Sequence, residues 1–121
     1  STSVFADLEV FKPLLRRYQM ECIEETRVDP DIIVSIKHTK LRILKEWALC
    51  VLMKNKVMTK EGVYKIDVAL SRVPWNGKNF VEKEIDRCLS EKAIPARDIA
   101  IIYIKYCSIS MYPQYTTLLY T

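Results

Sequence analysis

Four cysteines constrain this chain more than any other feature: Cys22, Cys50, Cys88 and Cys107. They leave 27, 37 and 18 residues between them, far from the close pairs that hold zinc. An even count at wide spacing in a short chain reads as two disulfides, which place the protein outside the reducing cytosol. Three pairings are open. One of them, Cys22–Cys50 with Cys88–Cys107, stabilises the fold by about 3–4 kcal/mol per bridge if cross-links act by restricting the unfolded chain.

The 121 residues suit one domain, 1–121, with a single core. Half of them are hydrophobic, with only 2 Gly and 5 Pro, which argues for packed helices rather than a loop-rich or disordered chain. A core of this size does not need staples, so the bridges suggest either a hollow interior or the ordinary habit of secreted helical proteins. The net charge of +4 is modest. Its local cluster, Lys37, His38, Lys40, Arg42 and Lys45, reads as a solvated helix face, and no nucleic-acid partner is expected. No apolar run is long enough to span a bilayer, so no stable membrane insertion is expected.

Apolar steps of three and four predict a helix over 3–26, bent near Pro13. Asp29 caps a short second helix that opens at Pro30 and runs to Ile36. A third runs from Thr39, its expected cap, to Lys54, with Leu41, Leu44, Trp47, Ala48, Val51 and Leu52 inward. Residues 58–62 form a turn, and a fourth helix covers Tyr64 to Val73. A second turn spans 74–77. Asn79 caps a fifth helix to Lys92, burying Phe80, Ile85, Cys88 and Leu89. The sixth runs from Pro95 to Ile109 and is apolar nearly all round, which places it mid-fold. Met111 to Thr121 has no helical period and is too hydrophobic to float free.

No phosphate loop, metal-spaced cluster or nucleophile elbow is present. His38, the single histidine, has no nucleophile or orienting acid in a local motif and reads as a solvated residue at a helix junction. Neither enzyme activity nor a cofactor or metal is expected.

The cysteine order, the Cys50–Cys88 gap and the segment from Cys50 to Leu70, CVLMKNKVMTKEGVYKIDVAL, resemble insect odorant-binding proteins of the pheromone-binding type. Members usually have six cysteines; by their spacing the two absent here fall at Glu46 and Asp98, as in the four-cysteine, or C-minus, subgroup. The resemblance implies the pairing Cys22–Cys50 and Cys88–Cys107. It also implies an all-α fold of about six helices around an apolar cavity, and secretion with the signal peptide already removed. The cargo would be a small hydrophobic ligand such as an odorant, pheromone, terpenoid or fatty acid, with a chemosensory receptor as a further partner and a monomer or weak dimer as the working state.

On that reading Phe5, Leu8, Leu49, Leu52, Met53, Leu70, Val73, Trp75, Phe80, Ile102, Tyr103 and Tyr106 line the cavity, each of them equally readable as ordinary core. Met111 and Tyr112 belong to an extended C-terminal tail that acts as wall or lid, against the alternative of a tail docked outside. If the missing bridge positions face each other, Glu46 and Asp98 share a proton or borrow Lys45 or Arg97, unless both simply face water. The rival function is a secreted, disulfide-bonded helical protein with a solid core that acts by binding a protein partner.

Overall fold

The computed structural model describes residues 12–34, 41–73, 75–89 and 94–108; at 12, 13, 34 and 106–108 the backbone alone is described. Among the described residues six α-helices follow in order: α1 Lys12–Thr26, α2 Pro30–Val34, α3 Arg42–Lys54, α4 Ile66–Ser71, α5 Lys78–Leu89 and α6 Ala96–Ile102. The all-α expectation holds, and each expected helix is present. The stretch expected to be helical before Lys12, and the tail from Met111 on, lie outside the described residues.

Local chemistry explains most of the boundaries. Thr26 Oγ1 donates to the Cys22 carbonyl at 2.6 Å, and Arg27, at φ +62°, turns the chain out of α1. Asp29 then caps α2 as expected: its Oδ1 accepts from the Asp31 amide at 2.9 Å. The third helix begins later than Thr39. Leu41 occupies its N-cap position with extended backbone and no side-chain cap, and its side chain is exposed rather than inward.

At the far end of α3, Lys56 takes φ +65°. The amides of Lys56 and Val57 donate back to the carbonyls of Met53 and Leu52 at 2.9 and 3.1 Å. That is the hydrogen-bond pattern of a left-handed helix stop, here made without glycine.

The turn expected over 58–62 is closed by an antiparallel bridge between Met58 and Tyr64 and by Thr59, whose carbonyl accepts from Gly62 and whose hydroxyl accepts from Val63. Tyr64 is thereby held in an extended pairing, which is why α4 starts at Ile66 and not at Tyr64. Asn79 sits inside α5 instead of capping it, because a 3₁₀ turn at Trp75–Gly77 leads straight into the helix. The sixth helix also departs from expectation. After Ile102 it widens into a π turn over Tyr103–Ser108, which shifts the register of the side chains that follow.

The central element is α3, packed between α1 and α6; α5 packs on the π turn and on α4. Leu44, Trp47, Ala48, Val51 and Leu52 of α3 are all buried, the stripe that spacing of three and four dictates. Trp47 is fully enclosed, and its indole Nε1 donates to the Gln19 carbonyl of α1 at 3.2 Å. The Cys22–Cys50 bridge joins the same two helices with Cα atoms 5.8 Å apart. Ala100, Ile101, Tyr103 and Ile104 are buried, so the last helical stretch does lie mid-fold.

The second expected bridge is not seen: Cys88 is a buried free thiol, and the Cys107 side chain lies outside the described residues.

Gly62 has φ +87°, and a Cβ there would stand 2.2 Å from the backbone oxygen of Ala96, at the start of α6. Both the left-handed backbone and the close approach require glycine. Replacing Gly62 by alanine is expected to cost about 2 kcal/mol or more of unfolding free energy, read from the urea midpoint at unchanged slope.

Candidate ligand-binding site

The residues expected to line a cavity divide into three groups. Leu52, Val73 and Tyr103 are buried, and Leu49, Leu70 and Ile102 are partly buried against the same core. They come from α3, from α4 and the turn after it, from α6 and from the π turn, so residues far apart in sequence converge on one apolar interior.

Met53, Phe80 and Trp75 instead face solvent, at 39, 48 and 88 % exposure. The reason is register. On α5 the buried positions are Val81, Ile85 and Cys88, which turns Phe80 aside. On α3 they are Val51 and Leu52, which turns Met53 out. Trp75 sits at the first position of the 3₁₀ turn. Phe5, Leu8, Met111 and Tyr112, and the side chain of Tyr106, lie outside the described residues, as does His38.

Two residues of the interior escaped the sequence reading. Tyr64 places its ring 4.8 Å from that of Tyr103, centroid to centroid, at an interplanar angle of 32°. Placing Tyr64 within α4 hid this pairing. Gln19 is 2 % exposed, and among the described residues neither its side-chain oxygen nor its nitrogen has a hydrogen-bond partner. The available signal was the apolar stripe of α1, in which Gln19 stands between Leu15 and Cys22 at steps of four and three.

A separate, open cleft of about 640 Å³ lies between α3, the turn at 60–62 and the start of α6. Arg42, Lys45, Glu46, Lys60, Glu61 and Arg97 reach its walls, and Leu49 is the one expected wall residue it shares. Its charge sets it apart from the expected apolar cavity.

The two acids expected at the positions of an absent bridge, Glu46 and Asp98, are each paired with a cation. Arg42 Nε lies 3.4 Å from Glu46 Oε1, one turn away on α3. Lys45 Nζ lies 2.7 Å from Asp98 Oδ1, an ionic contact without hydrogen-bond alignment that ties α3 to α6. Of the expected cation partners, Asp98 takes Lys45.

Beside the disulfide, Glu25 Oε2 lies 3.2 Å from Cys50 Sγ, and Glu25 Oε1 pairs with Lys54 Nζ at 3.2 Å. Cys22, Glu25 and Cys50 have metal-ligand spacing. Both sulfurs are committed to the disulfide and the carboxylate to Lys54, so the group fastens α1 to α3.

A six-helix fold held by a disulfide from α1 to α3, with apolar side chains of four elements meeting inside, is matched by one family model. The model of the PBP/GOBP family, the pheromone-binding and general odorant-binding proteins, matches residues 6–108. This chain belongs to the PBP/GOBP family. Neither a curated protein nor a solved structure matches the chain. PBP/GOBP proteins are small secreted odorant or pheromone carriers, not enzymes. No helix among the described residues is long and apolar enough to cross a membrane.

The Lys45–Asp98 contact is part-exposed on both sides, which limits its strength. A double-mutant cycle with Lys45→Met and Asp98→Asn is expected to give a coupling of about 0.5–1 kcal/mol in unfolding free energy, shrinking as salt is added.

Proposed function

We propose that this member of the PBP/GOBP family is a secreted carrier that encloses one small hydrophobic molecule, such as an odorant, pheromone, terpenoid or fatty acid, in its helical interior. The observation that carries this reading is the convergence of Leu49, Leu52, Leu70, Val73, Ile102 and Tyr103 on one apolar core, in a chain matched to the family over residues 6–108. Pockets of this kind are mainly apolar, with a few polar groups that orient the ligand. Phe5, Leu8 and Tyr106 complete the wall on this reading, and Met111 and Tyr112 close it as a lid. The loaded protein, a monomer or weak dimer, meets a chemosensory receptor.

We further infer that Cys88, whose thiol is free in this structure, is oxidised with Cys107 in the mature protein. Its support is that α5, which carries Cys88, packs against the π turn that carries Cys107. The chain is then a C-minus member with two bridges. The intact mass of unreduced protein is expected to be lower by four hydrogens than that of the reduced chain; a difference of two would leave Cys88 free.

A fluorescent apolar probe tests the carrier reading. The protein is expected to take up about one probe per chain, saturably. Leu70 is partly buried, and Leu70→Trp, which fills space at the wall, is expected to weaken uptake about tenfold with little loss of stability. The exposure of Trp75 and Phe80 favours a second reading, in which this apolar surface docks on a partner protein. A chain that takes up no probe, and whose Trp75→Ala variant loses a protein partner, belongs to that reading.

A further inference from the structure

Gln19 and Lys105 are the buried polar side chains among the described residues. Gln19 is among the largest that are fully enclosed, in company with Trp47, Ile33, Leu44, Leu52 and Ile104. Its backbone is fixed: the carbonyl accepts from Trp47 Nε1 across the α1–α3 contact. Its side chain is not satisfied among the described residues, where neither Nε2 nor Oε1 has a partner. Both ends are bare whichever way the amide is turned.

A buried amide stripped of its hydrogen bonds is costly, and such groups in native proteins require an explanation. A purely structural residue here would be leucine or methionine, which fill the same volume without that cost. The amide offers two donor hydrogens at Nε2 and an acceptor at Oε1.

We propose that Gln19 is the polar anchor for the carrier's ligand and selects neutral molecules bearing a hydroxyl on an aliphatic or terpenoid body. This inference rests on the carrier reading above. A hydroxyl matches both ends of the amide: it accepts from Nε2 and donates to Oε1. A carbonyl matches Nε2 alone and leaves Oε1 bare. A hydrocarbon matches neither. A carboxylate only accepts, and its burial carries the cost of a desolvated charge. The order of preference is therefore alcohol, then aldehyde or ketone, then alkane, with the carboxylate excluded from this subsite.

The test is displacement of the apolar probe from the whole protein by 1-decanol, decanal and decane, repeated with Gln19→Met. Gln19→Leu serves as a second apolar replacement. Wild type is expected to prefer 1-decanol over decane about tenfold beyond their preference in an apolar solvent, with decanal between. In Gln19→Met that excess preference is expected to vanish while decane binds at least as well, and the ligand-free variant melts no lower than wild type. Three results overturn the proposal: equal excess affinity for the three compounds in wild type, an undiminished alcohol preference in both variants, or a Gln19→Met protein that loses decane and 1-decanol alike. Uptake of decane without alcohol preference sinks the anchor and spares the carrier. Uptake of none of the three, nor of the probe, sinks both.

Discussion

The clamp between α1 and α3 is the constraint on which the rest of the structure depends. It combines three interactions of different kind: the Cys22–Cys50 bridge, the hydrogen bond from the Trp47 indole to the Gln19 carbonyl, and the Glu25–Lys54 ion pair beside the sulfurs. The covalent link resists separation of the helices, and the indole bond fixes their rotation about each other because its donor is wholly enclosed. The ion pair lies toward the surface and adds little energy, since exposed pairs are worth about 1 kcal/mol or less. With α1 held on one side, α3 offers its other side to α6.

That second contact is fastened differently. Where six-cysteine relatives are expected to have a further bridge at Glu46 and Asp98, this chain has Lys45 Nζ against Asp98 Oδ1 and a glycine pressed against the start of α6. An ion pair between part-exposed groups is weaker than a disulfide and is screened by salt. The α3–α6 side is thus held by an ion pair and close packing, and the charged cleft opens there. The apolar interior is enclosed from the stapled side, where Gln19, Trp47 and Leu52 are buried. The buried apolar core and the charged cleft accordingly lie on different sides of α3.

Helix identity was legible in the sequence because it depends on local periodicity and capping. The stripe Leu44, Trp47, Ala48, Val51 and Leu52, the Asp29 cap and the turn at 58–62 could all be read from spacing and residue chemistry. The start of α3 could not, because Thr39 is a good cap by composition and nothing local says that Leu41 takes the position. The π turn after Ile102 was equally invisible, since an apolar run of this kind fits a regular helix. Of the residues expected to line a cavity, Leu52, Val73 and Tyr103 are buried and Leu70 and Ile102 pack partly buried against the core, whereas Trp75, Phe80 and Met53 are exposed. Size and hydrophobicity suggested those three, but register at the 3₁₀ turn and on α3 and α5 turned them outward.

What the sequence by itself determined is the all-α class and the helices found among the described residues, because each rests on residue spacing along one chain. What only the tertiary structure decided is which polar groups find partners. Asp98 meets Lys45, Glu46 meets Arg42, and the Gln19 side chain finds no partner among the described residues, although all three are ordinary surface-type residues by composition. The physical reason is that a polar side chain's energy depends on the groups that happen to lie within about 3 Å of it. In this fold those groups come from helices far apart in sequence.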